Sequence, residues 1–210
     1  MINVILADDH PIFRKGLSEI LQEAGDIQIS GEAANAREIF TMLDTVDCNI
    51  LILDIKMPGQ SGLDILKQLN KTHPNLKILV LSMHPEEQYA IRVLRAGASG
   101  YLNKETVPED IVRAVRRINS GRKFITESIA DQLARSLGKD FKKRRFETLS
   151  DREYELMCMI ATGKTLTTIA NDLSLSIKTV STYRTRLLQK MKMKSNAELT
   201  HYAISNNLVD

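Results

Sequence analysis

Five short aliphatic and β-branched runs, each followed by a stretch of helical periodicity, fill the first 120 residues and restrict the fold more than any other feature. The runs lie at 3–7, 27–32, 49–53, 77–82 and 100–103. Within them Val4-Ile5-Leu6, residues 50–53 and residues 78–81 are continuously apolar, the pattern of strands buried on both faces of a parallel sheet. Between them, Phe13, Leu17, Ile20, Leu21 and Ala24 repeat at helical spacing, as do Ile111, Ala114, Val115 and Ile118. Strand and helix alternating five times predict an α/β (βα)5 unit with a parallel five-stranded sheet and right-handed crossovers.

The strand signal stops after Gly121. A weak helical pattern at 127–137, Gly138 and the run Lys142-Lys143-Arg144-Arg145 suit a linker with a short helix. From Thr148 onward the chain reads as about four helices, broken at Gly163, around 174–176 and around 194–196. The expected domains are therefore 1–121, a linker at 122–146, and an all-α four-helix unit at 147–210. A composition of 43% hydrophobic and 26% charged residues excludes a mostly disordered chain. No apolar run approaches the ~20 residues of a membrane span, and Asp8 and Asp9 stand too early for a secretory leader. Cys48 and Cys158, far apart and beside apolar residues, suit a reducing compartment, so a cytoplasmic location with no membrane partner is expected.

Polar residues collect at the carboxyl ends of the expected strands, where parallel α/β sheets bind ligands. Asp8 and Asp9 follow the first strand, Asp54 ends the third, Ser82 ends the fourth and Lys104 follows the fifth. Three neighbouring carboxylates repel unless a cation neutralises them, and hard oxygen ligands with open positions suit Mg²⁺. A carboxylate beside Mg²⁺ and a lysine can attack a phosphoryl group, with Ser82 placed to hydrogen-bond the product. No G-x-G-x-x-G follows the first strand, which argues against dinucleotide binding. The D-x-D spacing of aspartyl phosphatases is missing as well.

Asp8-Asp9-His10-Pro11, the stretch Leu53-Asp54-Ile55-Lys56-Met57-Pro58-Gly59-Gln60-Ser61-Gly62, and Ala96-Gly97-Ala98-Ser99-Gly100-Tyr101-Leu102-Asn103-Lys104 resemble the receiver domain of two-component response regulators over residues 2–120. The resemblance implies Asp54 as phospho-acceptor, Mg²⁺ held by Asp8, Asp9, Asp54 and the backbone carbonyl of Lys56, and Lys104 on the phosphoryl group. It further implies Ser82 and Tyr101 as a coupled switch pair and a cognate histidine kinase as donor. Such a domain catalyses only its own phosphoryl transfer and dephosphorylation, so no turnover enzyme is expected.

In the last third, Ser150 and Glu153 have capping-box spacing. A short helix around 168–173, a turn at 174–176 and a basic helix capped by Ser176 read as a helix-turn-helix. Between Lys178 and Lys194 stand six basic residues and no acidic one, within a chain whose net charge is only +3. On a helical wheel Ile177, Val180, Leu187, Leu188 and Met191 form the apolar stripe, with Arg184 toward that side. Lys178, Thr179, Ser181, Thr182, Thr185, Arg186, Gln189 and Lys190 are the expected DNA contacts, able to reach phosphates and base edges in a major groove. A helix that docks an acidic protein partner is the alternative reading of the same face.

Leu149–Glu153, Gly163, Ile169-Ala170, Leu173, Ser176, Lys178-Thr179-Val180 and Lys190-Met191 resemble the LuxR-type helix-turn-helix. The whole chain thus resembles the NarL/FixJ class of response regulators. Thr182-Tyr183-Arg184 and Glu198-Leu199-Thr200 with Val209-Asp210 are similar to its GacA/UvrY branch, while Thr168 and Tyr183 depart from the usual glutamate and histidine. The class implies double-stranded promoter DNA as partner, a homodimer on phosphorylation, and a dimer contact from a final helix at 196–206.

Overall fold

The computed structural model describes residues 1–57, 61–83, 86–136, 145–206 and 208–209. Pro58-Gly59-Gln60, His84, Leu137, Gly138, Lys142-Lys143-Arg144 and Asp210 lie outside the described residues. The chain divides into two compact units, Met1–Gly138 and Lys139–Asp210.

In the first unit, five parallel strands form one sheet in the order β2-β1-β3-β4-β5, with β1 Ile2–Ala7, β2 Ile27–Ala33, β3 Ile50–Asp54, β4 Lys77–Ser82 and β5 Gly100–Asn103. Every residue of β3 is buried, as its uninterrupted apolar run requires of a central strand. Val4, Leu6, Ile50, Ile52, Leu79, Leu81 and Leu102 pack in one core cluster with Leu17 and Leu21 of α1 (Pro11–Glu23) and with Ile111, Ala114, Val115 and Ile118 of α5 (Pro108–Asn119). Ile5, Leu51, Leu53, Ile78 and Val80, alternating with these, are fully buried and fill the other face. The other helices between the strands, α2 (Ala36–Leu43), α3 (Gly62–Thr72) and α4 (Glu86–Arg95), bury Ile39, Leu66 and Val93 respectively. Pro11 and Pro108 stand at helix starts, where a missing N–H costs nothing. Glu109 and Asp110 in the first turn of α5, with Arg116 and Arg117 in its last, complement the helix dipole.

The expected weak helix is present as α6, Glu127–Ser136. It is not part of a free tether: Ile129 is fully buried and Thr126 Oγ1 donates a 2.6 Å hydrogen bond to Glu86 Oε2 at the start of α4. Phe124 bridges to Gly100 alongside β5, so residues 122–136 are built into the first unit.

The second unit holds a 3-10 turn (Arg145–Thr148) and the helices α7 (Asp151–Ala161), α8 (Leu166–Asp172), α9 (Ile177–Met191) and α10 (Asn196–Ser205). Ser150, Thr165, Ser176 and Ser195 each accept the backbone N–H three residues on, so all four helices start on a side-chain cap. Tyr154, Met157, Ile169, Val180, Leu187, Met191, Leu199 and Ala203 are its buried centre, with Met157 and Met191 as core residues.

Gly62, the first residue of α3, lies against the residue that follows Asp54. Its N–H donates to Ile55 O at 3.1 Å, and a methyl on Gly62 would overlap the Ile55 backbone. Gly62→Ala is expected to destabilise the first unit by about 1–3 kcal/mol, read from the denaturant midpoint, because backbone cannot yield as a side chain can.

Candidate functional site

Parallel pairing sets the rim of the first unit. Ala7 pairs with Leu53 and Asp54 with Leu81, so Asp8, Asp54 and Ser82 end neighbouring strands on the same edge of the sheet. The backbone N–H of Lys104 donates to Ser82 O at 2.8 Å, which carries β5's neighbour to the same rim. From there the Lys104 ammonium reaches across, 2.5 Å from Asp8 Oδ2 and 2.6 Å from Asp54 Oδ2. All three side chains are nearly inaccessible, Asp54 most of all at 2%. The other oxygens are held by the chain itself: His10 N donates to Asp8 Oδ1 and Lys56 N to Asp54 Oδ1, each at 2.9 Å. Arg14 Nη1 donates to Asp8 O at 2.5 Å and fixes the turn between β1 and α1.

Burial pushes the Asp54 carboxyl above its usual range, and the Lys104 charge, the hydrogen bonds from Lys104 and Lys56 N only partly offset that. Asp9 is more exposed, yet its Oδ1 is buried and accepts no hydrogen bond, although His10 Nδ1 stands 2.9 Å away in a poor alignment. Asp8, Asp9, His10 and Asp54 offer ligand atoms within 4.8 Å of one another. An orphaned carboxylate oxygen beside two further carboxylates fits a hard divalent cation such as Mg²⁺. Ser82 and Tyr101 are fully buried, the tyrosine inside the sheet's core. Asp8, Asp9, Asp54 and Lys104 thus come together at the rim, while Ser82 ends β4 on the same edge and Tyr101 lies on β5.

Reading residues one strand at a time does not reveal Phe13. Its ring centroid lies 4.6 Å from the Lys104 ammonium, a contact between α1 and the residue after β5 that helical periodicity records only as a core position.

In the second unit α9 begins and ends at the expected residues. Lys192, in the left-handed region at φ +54°, closes it. Val180, Leu187 and Met191 are buried, while Lys178, Ser181, Thr182, Thr185, Arg186, Gln189 and Lys190 form an exposed band two residues wide. Ile177 corrects the wheel: it is 53% exposed rather than part of the apolar stripe, whereas Val180 three residues on is buried. Thr179 is half-buried and shares a 2.8 Å hydrogen bond with the Ser176 cap. Arg184 donates from Nε to Asn196 Oδ1 at 2.7 Å, which ties α9 to the start of α10.

Lys190 is similarly engaged: its Nζ lies 2.6 Å from Oε2 of Glu153, a residue only 3% exposed. Glu153 also accepts from Ser150 N at 2.8 Å, completing the capping box of α7. Burial alone would raise this carboxyl, but the bonds from Lys190 and Ser150 outweigh it and hold Glu153 below its usual value. The capping box was legible at short spacing; the partner 37 residues away was not.

With this geometry established, sequence profiles identify both units. The response regulator receiver domain matches residues 4–116, and the luxR family of bacterial regulatory proteins matches residues 147–203. The chain belongs to the response regulators that join a receiver to a luxR-type helix-turn-helix. Among its relatives, response regulator UvrY of Escherichia coli K12 is 36% identical over 99% of this chain and 96% of its own. Response regulator GacA of Pseudomonas protegens is 33% identical over 100% and 99%. A solved structure of RcsB from Salmonella enterica serovar Typhimurium, bound to promoter P1flhDC in the presence of phosphomimetic BeF3-, is similar at TM-score 0.69 and 28% identity, covering 97% of this chain and 98% of that one. No helix among the described residues is long and apolar enough to cross a membrane.

Two stability effects follow with opposite sign. Asp54, with its folded pKa raised above 3.8, binds more protons folded than unfolded, so it removes stability as pH rises through that range. Asp54→Asn is therefore expected to raise the thermal midpoint of the first unit at neutral pH, with the gain vanishing below the usual carboxylate range. Glu153, lowered from 4.5, contributes stability that is present above that value and lost as pH falls through its folded value. Glu153→Gln is expected to cost the second unit about 1–3 kcal/mol at neutral pH and to flatten its acid limb, measured by denaturant titration across pH.

Proposed function

We propose that this chain is a phosphorylation-controlled transcription regulator in which Asp54 accepts a phosphoryl group from a histidine kinase. The observation that carries the reading is the Lys104 ammonium set between the buried carboxylates of Asp8 and Asp54. One carboxylate oxygen is the nucleophile, and the ammonium is already in place for the charge of the incoming phosphoryl oxygens. Asp8, Asp9, Asp54 and the backbone carbonyl of Lys56 would hold Mg²⁺, which when bound offsets negative charge on both the acceptor and the phosphoryl group. The same groups support slow hydrolysis of the aspartyl phosphate, so the receiver acts on itself alone.

Ser82, buried at the end of β4, would donate its hydroxyl to the new phosphoryl group. Its displacement opens room for the Tyr101 ring, which gives the site two discrete packings rather than a continuum. Phosphorylation then favours a homodimer that presents two copies of α9 to promoter DNA. Paired helix-turn-helix units read half-sites about one turn, ~34 Å, apart. Lys178, Thr179, Ser181, Thr182, Thr185, Arg186 and Gln189 are the assigned DNA contacts. Thr182 and Thr185 donate their hydroxyls to Lys178 O and Ser181 O, so their oxygens face DNA as acceptors. Lys190, bound to Glu153, seats α9 on α7 and is assigned to that task in place of a DNA contact. Residues 147–210 form the effector unit and 1–121 the receiver core. The regulator works in the cytoplasm, where kinase output and promoter are both accessible.

The test is fluorescence anisotropy of the full chain on DNA selected from a random-site pool, with and without acetyl phosphate and Mg²⁺. Phosphorylated wild type is expected to bind its selected site about ten-fold tighter or more, a ~1.4 kcal/mol bias, and Asp54→Asn to show no such gain. Equal binding in every sample overturns the phosphorylation switch. Steep salt dependence without sequence preference would instead assign α9 to an acidic protein partner.

A further inference from the structure

We propose that Phe13 is a positioning residue for phosphoryl transfer, acting through the Lys104 ammonium that its ring supports. The inference rests on Asp54 as the acceptor. An ammonium has three N–H donors, and two carboxylates at 2.5 and 2.6 Å face that of Lys104. The Phe13 ring centroid stands 4.6 Å from the same nitrogen, inside the ~6 Å range of a cation–π contact. The Lys104 side chain is 6% exposed, so the contact is desolvated and at the strong end of its range. Phe13 itself is half-buried, packed against the core that α1 and α5 share with the sheet.

The demand on Lys104 changes during the reaction. With an acyl phosphate donor such as acetyl phosphate, an Asp54 oxygen forms the new P–O bond while the donor's P–O bond breaks, and acetate leaves with that electron pair. Asp54 loses its carboxylate charge and the phosphoryl oxygens gain the claim on the ammonium. A polar acceptor beneath Lys104 would bind it along one direction and compete with those oxygens. An aromatic face attracts the cation without a fixed lone-pair direction, so the ammonium turns from carboxylate to phosphoryl oxygen while it stays held and dry. The ring thereby supplies part of the preorganisation that makes the ammonium effective.

Phe13 also fills space, so the test separates its charge-attracting face from its volume. Full-length chains would carry Phe13 replaced by 4-fluoro-, 3,5-difluoro- and pentafluorophenylalanine, which weaken the ring's negative face at nearly constant size, and by leucine as Phe13→Leu. Two quantities are read: the NMR shift of the Lys104 side-chain methylene next to Nζ, and the rate of Asp54 phosphorylation by acetyl phosphate with Mg²⁺. The expected wild-type shift is displaced by the ring current and returns to an ordinary value in Phe13→Leu. The rate is expected to fall stepwise with fluorination, to about five-fold below wild type for the pentafluoro ring, or ~1 kcal/mol, with the unfolding midpoint preserved. Fluorinated chains phosphorylated at the wild-type rate, or a Lys104 shift indifferent to Phe13→Leu, overturn the proposal and leave Phe13 a packing residue. A wild-type chain that takes up no phosphoryl group overturns the Asp54 reading along with it, and that outcome is distinct because the wild type itself is inert.

Discussion

One lysine holds the receiver site together. Without Lys104, Asp8 and Asp54 would be two carboxylates on adjacent strands, both nearly sealed from water, and their mutual repulsion would add to the cost of desolvation. The ammonium offsets that cost without abolishing it, which is why Asp54 remains harder to ionise than a free aspartate. A site balanced in this way is poised for chemistry that removes a charge from Asp54 and moves it outward. Much of the surrounding structure serves this geometry. The hydrogen bond from Lys104 N to Ser82 O fixes where the lysine leaves β5, Gly62 lets the start of α3 lie against the Ile55 backbone next to Asp54, and Arg14 secures the turn after β1.

The second unit uses the same principle for a different end. Glu153 is a buried acid whose lone pairs go to the Ser150 amide and to Lys190, so one side chain both starts α7 and grips the far end of α9. Arg184 makes a second tie, to Asn196 at the head of α10. Two of the basic residues of α9 are therefore tied to neighbouring helices, Arg184 to α10 and Lys190 to α7, while Lys178, Arg186 and Lys190 remain exposed. A recognition helix needs this rigidity, since side chains that read base edges depend on a fixed approach to the groove.

Local signals were dependable where one element decides the outcome. The five strands, the helices at 13–24 and 111–118, the Ser150–Glu153 box and the Ser176 cap of α9 follow from apolar runs, helical spacing and cap chemistry. They failed where a neighbour decides. Ile177 has the right phase for the core, yet it is 53% exposed while Val180 in the same turn is buried, because neighbouring elements decide burial and phase does not. The 127–137 pattern is weak enough to resemble a tether, and long-range contact with α4 is what builds its described part into the first unit.

Chain order and residue type by themselves determined a parallel (βα)5 unit, a helical unit after it, and an acidic set at the strand ends, because strand period and the direction of parallel strands fix which residues reach the rim. The tertiary structure decided the rest. The order β2-β1-β3-β4-β5 makes β1 and β3 neighbours, and this alone brings Asp8 beside Asp54 and lets one lysine from beyond β5 touch both. Phe13 under Lys104 and Lys190 on Glu153 likewise depend on how helices pack, a long-range choice that no local spacing in the sequence encodes.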